Sequence, residues 1–447
     1  MGAAVQASLA DASAFGLASG PGASASMELL GEERGPVPGA DQDRWSATAC
    51  TAYHPPMSRA FERLAQRREH LAVANPLRAL TEVINRVEGG INLGQGVCDL
   101  DAPECLRAGA VASIEGADRQ TYTPYLGLPG VREQVARKLR EYNGLDVGAE
   151  NVLVSLGSSG AFFAASLCLF EPGDEVVLFE PFYSYHPSSL RLAGATPVCV
   201  RLAEPDYAFD PEALRAALTP RTRAVVVNTP ANPTGKMFTR QELEALAGLL
   251  EGTEVAVLTD EVYEYMVFDG REHVSPATLP GLADRTLTIG GFSKTYSITG
   301  WRMGYLAGPA ELVNSIGLIC DQVHVCAPRP LQRGVEKALA ELPSSFYDEL
   351  RDGYQARRDR FCAALGDAGF GVALPQGAYY AMADYRDVLG DLAPYDAVLA
   401  LIDRVGINAV PGDLFYEDGA EVRSIRFHFA VGEEDLDEIC RRLRTLG

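Results

Sequence analysis

Gly291-Phe292-Ser293-Lys294-Thr295-Tyr296-Ser297-Ile298-Thr299-Gly300-Trp301-Arg302-Met303-Gly304 is the stretch on which the reading of this chain turns. It sets one lysine among small residues and an arginine eight positions later, in a second glycine-bounded turn. A lysine that must form an imine needs a cramped, partly desolvated place, which lowers its pKa and makes the amine nucleophilic. An arginine held nearby suits a phosphate dianion, because its planar fork donates two parallel charge-assisted bonds. The plainer reading is a surface lysine and a solvated arginine.

Scarcity weighs against the plainer reading. Lysine occurs only at 138, 236, 294 and 337, so nearly all positive charge is arginine. Lys138, in VREQVARKLREY, and Lys337, in VEKALAEL, sit on helical patterns flanked by charges, as solvated faces do. Lys236 follows a turn, and only Lys294 is surrounded by Gly, Ser and Thr. Lys294 on an aldehyde and Arg302 on a phosphate together point to a pyridoxal 5'-phosphate site.

Length and composition bound the rest. A chain of 447 residues suggests two or more domains, with ample capacity to bury a cofactor. The apolar fraction of 47% and the alternating patterns are those of a soluble α/β protein. A formal charge of −21 excludes the basic stripe that a nucleic acid or an anionic membrane would need, so the expected partners are small molecules. Nine scattered cysteines without CxxC spacing, several in apolar runs, imply a reduced, cytoplasmic setting, and no metal is expected. No apolar run is long and uncharged enough to span a bilayer.

Residues 1–56 are rich in Ala, Gly, Ser and Pro and read as a disordered extension. Met1-Gly2-Ala3-Ala4 lacks the basic region and adjacent apolar core of a targeting signal. From Met57 to Glu88 the pattern predicts helix, interrupted near Asn75-Pro76. Strands then alternate with helices. Val152–Val154 runs into Gly157-Ser158-Ser159-Gly160 and a helix from Ala161 to Phe170. Further strands are expected at Glu175–Phe179, Val198–Leu202, Ala224–Val227, Glu254–Thr259, Thr286–Ile289 and Gly304–Ala307. A long polar helix over Ser344–Ala368 leads to a C-terminal α/β piece. This rhythm predicts a mainly parallel sheet covered on both faces, with ligands at the carboxyl ends of its strands.

The strand ends carry chemistry. At Gly157-Ser158-Ser159-Gly160, free backbone N–H groups and hydroxyls can hold a phosphate, unless the small residues serve packing alone. In Asn228-Thr229-Pro230-Ala231-Asn232-Pro233-Thr234-Gly235, Asn232 can present its amide to a phenolic oxygen, or both asparagines shape the turn. Asp260 and Glu261 end a buried strand, where a carboxylate is costly unless paired. A protonated pyridine nitrogen suits Asp260, and Tyr263 can donate to the phenolic oxygen; the alternative is that the acids cap the following segment.

These residues resemble the class I/II aminotransferases of pyridoxal-phosphate fold type I, in the subgroup of aspartate, kynurenine and methionine aminotransferases. The resemblance runs from about Asn75 to the C-terminus, with the motifs in the family's order. It implies a large domain with a mainly parallel seven-stranded sheet between helices, plus a smaller α/β domain. The implied division places residues 57–110 in the first part of the small domain and the dimer arm. It gives 111–342 to the large domain and 343–447 to the rest of the small one. Lys294 is then the Schiff-base lysine, Asp260 pairs with the pyridine nitrogen, and Tyr263 and Asn232 flank the phenolic oxygen. Arg302, Ser158 and Ser159 hold the phosphate, and Tyr183 stacks on the ring. Tyr122, in Tyr122-Thr123-Pro124-Tyr125, matches the tyrosine that reaches the phosphate of the neighbouring subunit, which implies a homodimer with shared sites. Gly96 matches the substrate-proximal glycine. Arg426, in Ile425-Arg426-Phe427-His428, matches the arginine that clamps the substrate carboxylate; a strand-edge ion pair is its alternative.

Three departures stand out. Gly291 replaces a phosphate-binding serine, leaving Ser293 or backbone groups to substitute. Ser155-Leu156-Gly157-Ser158-Ser159-Gly160-Ala161 replaces the commoner phosphate turn, and Val97-Cys98-Asp99-Leu100 the usual Pro-Asp-Phe. The implied activity is ping-pong transamination between an L-amino acid and a 2-oxo acid, with Lys294 moving the Cα proton. The alternative is elimination, replacement or carbon–carbon bond formation in specialised metabolism, on an amino acid such as S-adenosylmethionine. A non-catalytic regulator of this fold would need a DNA-binding module, which the acidic chain does not supply.

Overall fold

Alternation along the strands builds the main sheet. Val177, Phe179, Val225, Val227 and Val257 pack into one apolar cluster, and Val176, Leu178, Ala224, Val226 and Leu258 into another. Successive side chains point to opposite faces, so each strand is apolar on both sides and must be covered twice. The computed structural model describes residues 74–98, 100–419 and 421–447. The expected extension over 1–56, and the helical pattern before residue 74, lie outside the described residues.

In chain order the strands are β1 (Ile91–Asn92), β2 (Val152–Leu156), β3 (Glu175–Glu180), β4 (Thr196–Arg201), β5 (Thr222–Asn228), β6 (Ala256–Asp260) and β7 (Thr286–Gly291). They continue with β8 (Met303–Ala307), β9 (Gly371–Val372), β10 (Tyr380–Asp384), β11 (Ile407–Asn408), β12 (Val410–Pro411) and β13 (Ser424–His428). Seven form a sheet in the order β2-β8-β7-β6-β5-β3-β4. Only β8 runs against the others, pairing antiparallel with both β2 and β7. β12-β13-β10-β9 form an antiparallel sheet, and β1 pairs with β11 in parallel.

This order gathers the sequence motifs at one edge. Asn228 and Asp260 end β5 and β6 in register. Gly291 ends β7 opposite Gly304 of β8, and Leu156 ends β2 opposite Met303. The turns that carry Ser158, Asn232, Lys294 and Arg302 therefore leave the same side of the sheet.

One boundary differs from the sequence reading. The helix expected from Ala161 begins at Gly157 itself and runs to Leu169, because Gly157 takes φ +73° and turns the chain at once. Its first turn has no side-chain cap, which leaves N–H groups facing outward. Asn75-Pro76 lies within a helix described over Ala74–Ile84, and whether the pattern is interrupted before it lies outside the described residues. The long helix spans Ser344–Asp367. Among the described residues, no helix is long and apolar enough to cross a membrane.

Lys138 also departs from expectation. It does not lie on a solvated face: its ammonium pairs with Glu264, and their side chains are only 9% and 4% exposed. Tyr142, Tyr265 and Tyr305 surround it, and three ring faces offset part of the desolvation. Asn143 donates to Glu264, while Ser275 and His273 bond Glu261.

Candidate active site

A cavity of about 650 Å³ opens at the motif edge of the main sheet. Gly96, Ser158, Tyr183 and Asn232 line it, as do Asp260, Tyr263, Lys294 and Arg426. Four other expected residues do not. Ser293 is buried beside Lys294. Ser159 lies at the Tyr183 hydroxyl, where its hydrogen bond opposes the burial that pushes that phenol up. Arg302, with φ +53°, turns its guanidinium back over Gly157 and donates to the Thr299 carbonyl at 3.0 Å. Tyr122 is 78% exposed and is not among the residues that line the cavity of its own chain.

Lys294 donates to the Gly96 carbonyl at 2.6 Å, with its Nζ 5.4 Å over the Tyr379 ring. That parks the amine beside the cavity rather than in an ion pair. Asp260 is buried; its Oδ2 lies 3.1 Å from His186 Nε2, and its Oδ1 has no hydrogen-bond partner among the described residues. A buried carboxylate oxygen without a donor is costly, so its partner must enter through the cavity. Asp260 does not cap the following segment. Glu261 turns the other way, into the Ser275–His273 pair, where burial is outweighed by His273 and the carboxyl is held low.

The two asparagines divide the alternatives between them. Asn228 shapes the turn, accepting from the Asn232 backbone at 2.8 Å and donating to the Asp260 carbonyl at 3.0 Å. Asn232 instead turns inward, where its Oδ1 accepts from Arg426 Nη1 at 2.8 Å. Arg426 also donates to the Gly94 carbonyl at 2.5 Å and lies 4.4 Å over the Tyr380 ring. It stands on β13, flanked by β12 and β10, and so is not at a strand edge. Among the described residues no carboxylate neutralises it, and its Nε is buried without a partner.

His186, Tyr379 and Tyr380 escaped the sequence reading. The signal for His186 was the cost of burying Asp260, which demands a donor somewhere. The tyrosines stand in Gly377-Ala378-Tyr379-Tyr380, a stretch with no motif of its own. Yet Tyr380 lines the cavity, with its hydroxyl 3.0 Å from that of Tyr263, and Tyr379 donates to the Gly96 carbonyl at 2.9 Å.

Together these groups offer an amine outside any ion pair among the described residues, a buried acceptor oxygen, an uncapped helix N-terminus beside an arginine, and a second guanidinium for a carboxylate. Residues 88–443 match the aminotransferase class I and II family. The chain belongs to this family. It is 38% identical to the probable N-succinyldiaminopimelate aminotransferase of Mycobacterium tuberculosis over 80% of the chain and 92% of that protein. An aspartate/prephenate aminotransferase of Cereibacter sphaeroides is 35% identical, over 84% and 94%. The solved Mycobacterium tuberculosis N-succinyldiaminopimelate aminotransferase superposes with a TM-score of 0.79 at 37% identity, over 83% of this chain and 97% of that one. This aminotransferase is accordingly a pyridoxal-phosphate enzyme that moves an amino group between an amino acid and a 2-oxo acid. As is standard in the family, the reaction runs ping-pong through a Schiff-base lysine. Transamination, rather than elimination or bond formation, is the outcome its relatives share.

Proposed function

We propose that Lys294, Asp260, Tyr263, Asn232 and Arg426 carry this transamination, and the unpartnered buried Oδ1 of Asp260 is the observation that supports the assignment most strongly. That oxygen requires a donor, and a protonated pyridine nitrogen supplies one. His186 holds the other oxygen and so aims the carboxylate. When bound, pyridoxal phosphate supplies an aldehyde that condenses with amines and a cationic ring that stores the electron pair released at Cα. Tyr183 lines the cavity as a flat face for that ring. The N–H groups of the Gly157–Leu169 helix, with Ser158, Ser159 and Arg302, hold the phosphate. A Cβ at Gly291 would lie 3.8 Å from that of Ser158, so the Ser158 hydroxyl serves the place of the absent serine, with Ser293 behind it.

Arg426 grips the substrate carboxylate, oriented by Asn232 and Gly94, and this fixes which Cα bond faces the ring. Gly96 lines the cavity at the substrate's side, and its carbonyl holds the Lys294 amine. With the cofactor bound, the Lys294 amine would be the group placed to take the substrate's Cα proton and to deliver it to the cofactor's former aldehyde carbon, across the nitrogen. Its parking place on the Gly96 carbonyl keeps the amine within the cavity between steps. Tyr263 and the Asn232 amide donate to the phenolic oxygen, which makes the imine less basic.

We further propose a homodimer with shared sites. Tyr122 is exposed, is tied by Arg329 through its carbonyl at 3.1 Å, and sits apart from its own cavity, as a residue reaching a second copy must. Exposed Ile114, Leu318 and Val323 supply apolar surface for such a contact. The described part of 57–110 forms the small domain with 343–447, around the large domain 111–342; the pairing of β1 with β11 supports this, because it ties the two pieces together. A cytoplasmic setting is favoured by the eight described cysteines, all free.

The test mixes the purified holoenzyme with amino acids in the absence of any 2-oxo acid. One equivalent of 2-oxo acid should appear per site, with conversion of the cofactor to its amine form. Continued turnover without an acceptor would overturn the reading. Lys294→Ala should lose the absorbance of the lysine-bound cofactor, and a retained band would refute the role of that lysine.

A further inference from the structure

We propose that Tyr380 is a positioning residue for the reaction, the hydrogen-bond donor that fixes which way the Tyr263 hydroxyl points. The inference rests on the reading of Tyr263 as a donor to the cofactor's phenolic oxygen, and it deepens that reading.

Three phenols meet beneath the cavity, and their hydrogens can be counted. Each hydroxyl has one hydrogen to give and two lone pairs to receive. The Tyr379 hydrogen is committed to the Gly96 carbonyl at 2.9 Å. Tyr263 and Tyr380 lie 3.0 Å apart at their oxygens, both buried, and either can donate to the other. If Tyr263 gave its hydrogen to Tyr380, none would remain for the cofactor. With its own hydrogen turned to the cavity, Tyr263 keeps its bond to Tyr380 only as the acceptor, with Tyr380 as the donor. A phenol that accepts a hydrogen bond also donates more strongly, because the two bonds polarise one another. Tyr380 thereby both orients and sharpens the Tyr263 donor.

The surroundings hold Tyr380 in this place. Its ring stands edge-on to Tyr263, at 5.7 Å and 82°. Its face carries the Arg426 guanidinium at 4.4 Å, so the same side chain touches the carboxylate clamp and the phenol relay. A Cβ at Gly96 would overlap the Tyr380 hydroxyl, its nearest neighbour. Gly96 therefore lacks a side chain for a reason of its own: only glycine leaves room for that hydroxyl beside Tyr263.

The experiment is an absorbance titration of the holoenzyme, reading the apparent pKa of the lysine-bound cofactor. Tyr380→Phe keeps the ring over Arg426 and removes only the hydroxyl. Its titration should rise by about half a unit, a fraction of one hydrogen bond at the phenolic oxygen. Gly96→Ala, which pushes the hydroxyl aside without deleting it, should shift the titration in the same direction. In a Tyr263→Phe background, Tyr380→Phe should change nothing further, since no donor is left to orient. An equal shift in both backgrounds would overturn the inference, because the effect would then bypass Tyr263. So would an unmoved Tyr380→Phe titration alongside a shifted Tyr263→Phe one; the assignment of Tyr263 would survive that result. An unmoved Tyr263→Phe titration would instead sink the assignment of Tyr263, and the inference with it.

Discussion

His428 shows how closely charge is controlled around the clamp. It follows Arg426 on β13, is buried, and lies 3.2 Å from the Asn92 carbonyl through Nε2. Burial first, then the cations Arg426 and Lys294, lower its pKa to about 3. A neutral imidazole adds no third cation beside Arg426 and Lys294, which suits the proposed binding of a substrate carboxylate there. The linkage has a sign. Between pH 6.5 and about 3 the unfolded chain binds a proton at this position that the folded chain refuses, so stability falls as pH falls. The contribution approaches about 1.4 kcal/mol per pH unit within that window. Urea unfolding of the wild type should therefore lose more stability between pH 7 and pH 5 than that of His428→Gln; equal losses would refute the claim. At this scale the sequence was legible where chemistry demands an uncommon residue in an uncommon setting, as with Lys294 among Gly, Ser and Thr. It was silent on partners supplied from afar. His186 reaches Asp260 across 74 positions and Tyr380 reaches Tyr263 across 117, and no local pattern marks either pairing.

The element that joins catalysis to packing is the end of β6 with the turn after it. Asp260 and Tyr263 face the cavity, while Glu261 and Glu264 face a buried network of Lys138, Asn143, His273 and Ser275. One short segment therefore presents cavity-lining groups, the proposed cofactor partners, on one side and an anchored polar face on the other. Such anchoring is stable only while every charge keeps its partner, since an orphaned buried ion costs far more than the pair contributes. Lys138→Met strips Glu264 of its cation and should destabilise the fold by about 3–5 kcal/mol. The additional change Glu264→Gln should recover part of that loss by removing the stranded carboxylate. Denaturant midpoints of the single and double variants test this, and a double variant no better than Lys138→Met would disprove it. The strands of the main sheet were readable from apolar runs between turn residues, because burial on both faces leaves that mark. The network was not. Lys138 sits in a helical pattern full of charges, and nothing in that pattern shows that Tyr142, Tyr265 and Tyr305 close over it.

At the scale of the whole molecule, a dimer with shared sites makes a quantitative demand. If Tyr122 serves the phosphate held by its partner, each site draws Lys294 from one chain and Tyr122 from the other. A Lys294→Ala homodimer has no reactive amine in either site. A Tyr122→Ala homodimer keeps both amines and holds the cofactor weakly, so at limiting pyridoxal phosphate it is nearly inactive. Exchange of subunits between the two changes the count. In a mixed dimer, one site pairs the altered lysine position with the altered tyrosine position and is dead. The other pairs Lys294 of one chain with Tyr122 of its partner and is intact. Random reassortment makes about half of the dimers mixed, each with one working site of two, so activity should return to about a quarter of the wild-type value per site. A chain that completes its site alone gives no such rescue, because neither variant can supply what the other lacks. Mixing the two variants under conditions that allow exchange, then assaying at limiting cofactor, decides the matter. Activity that stays at the sum of the separate variants would rule out the shared site, whatever the oligomeric state.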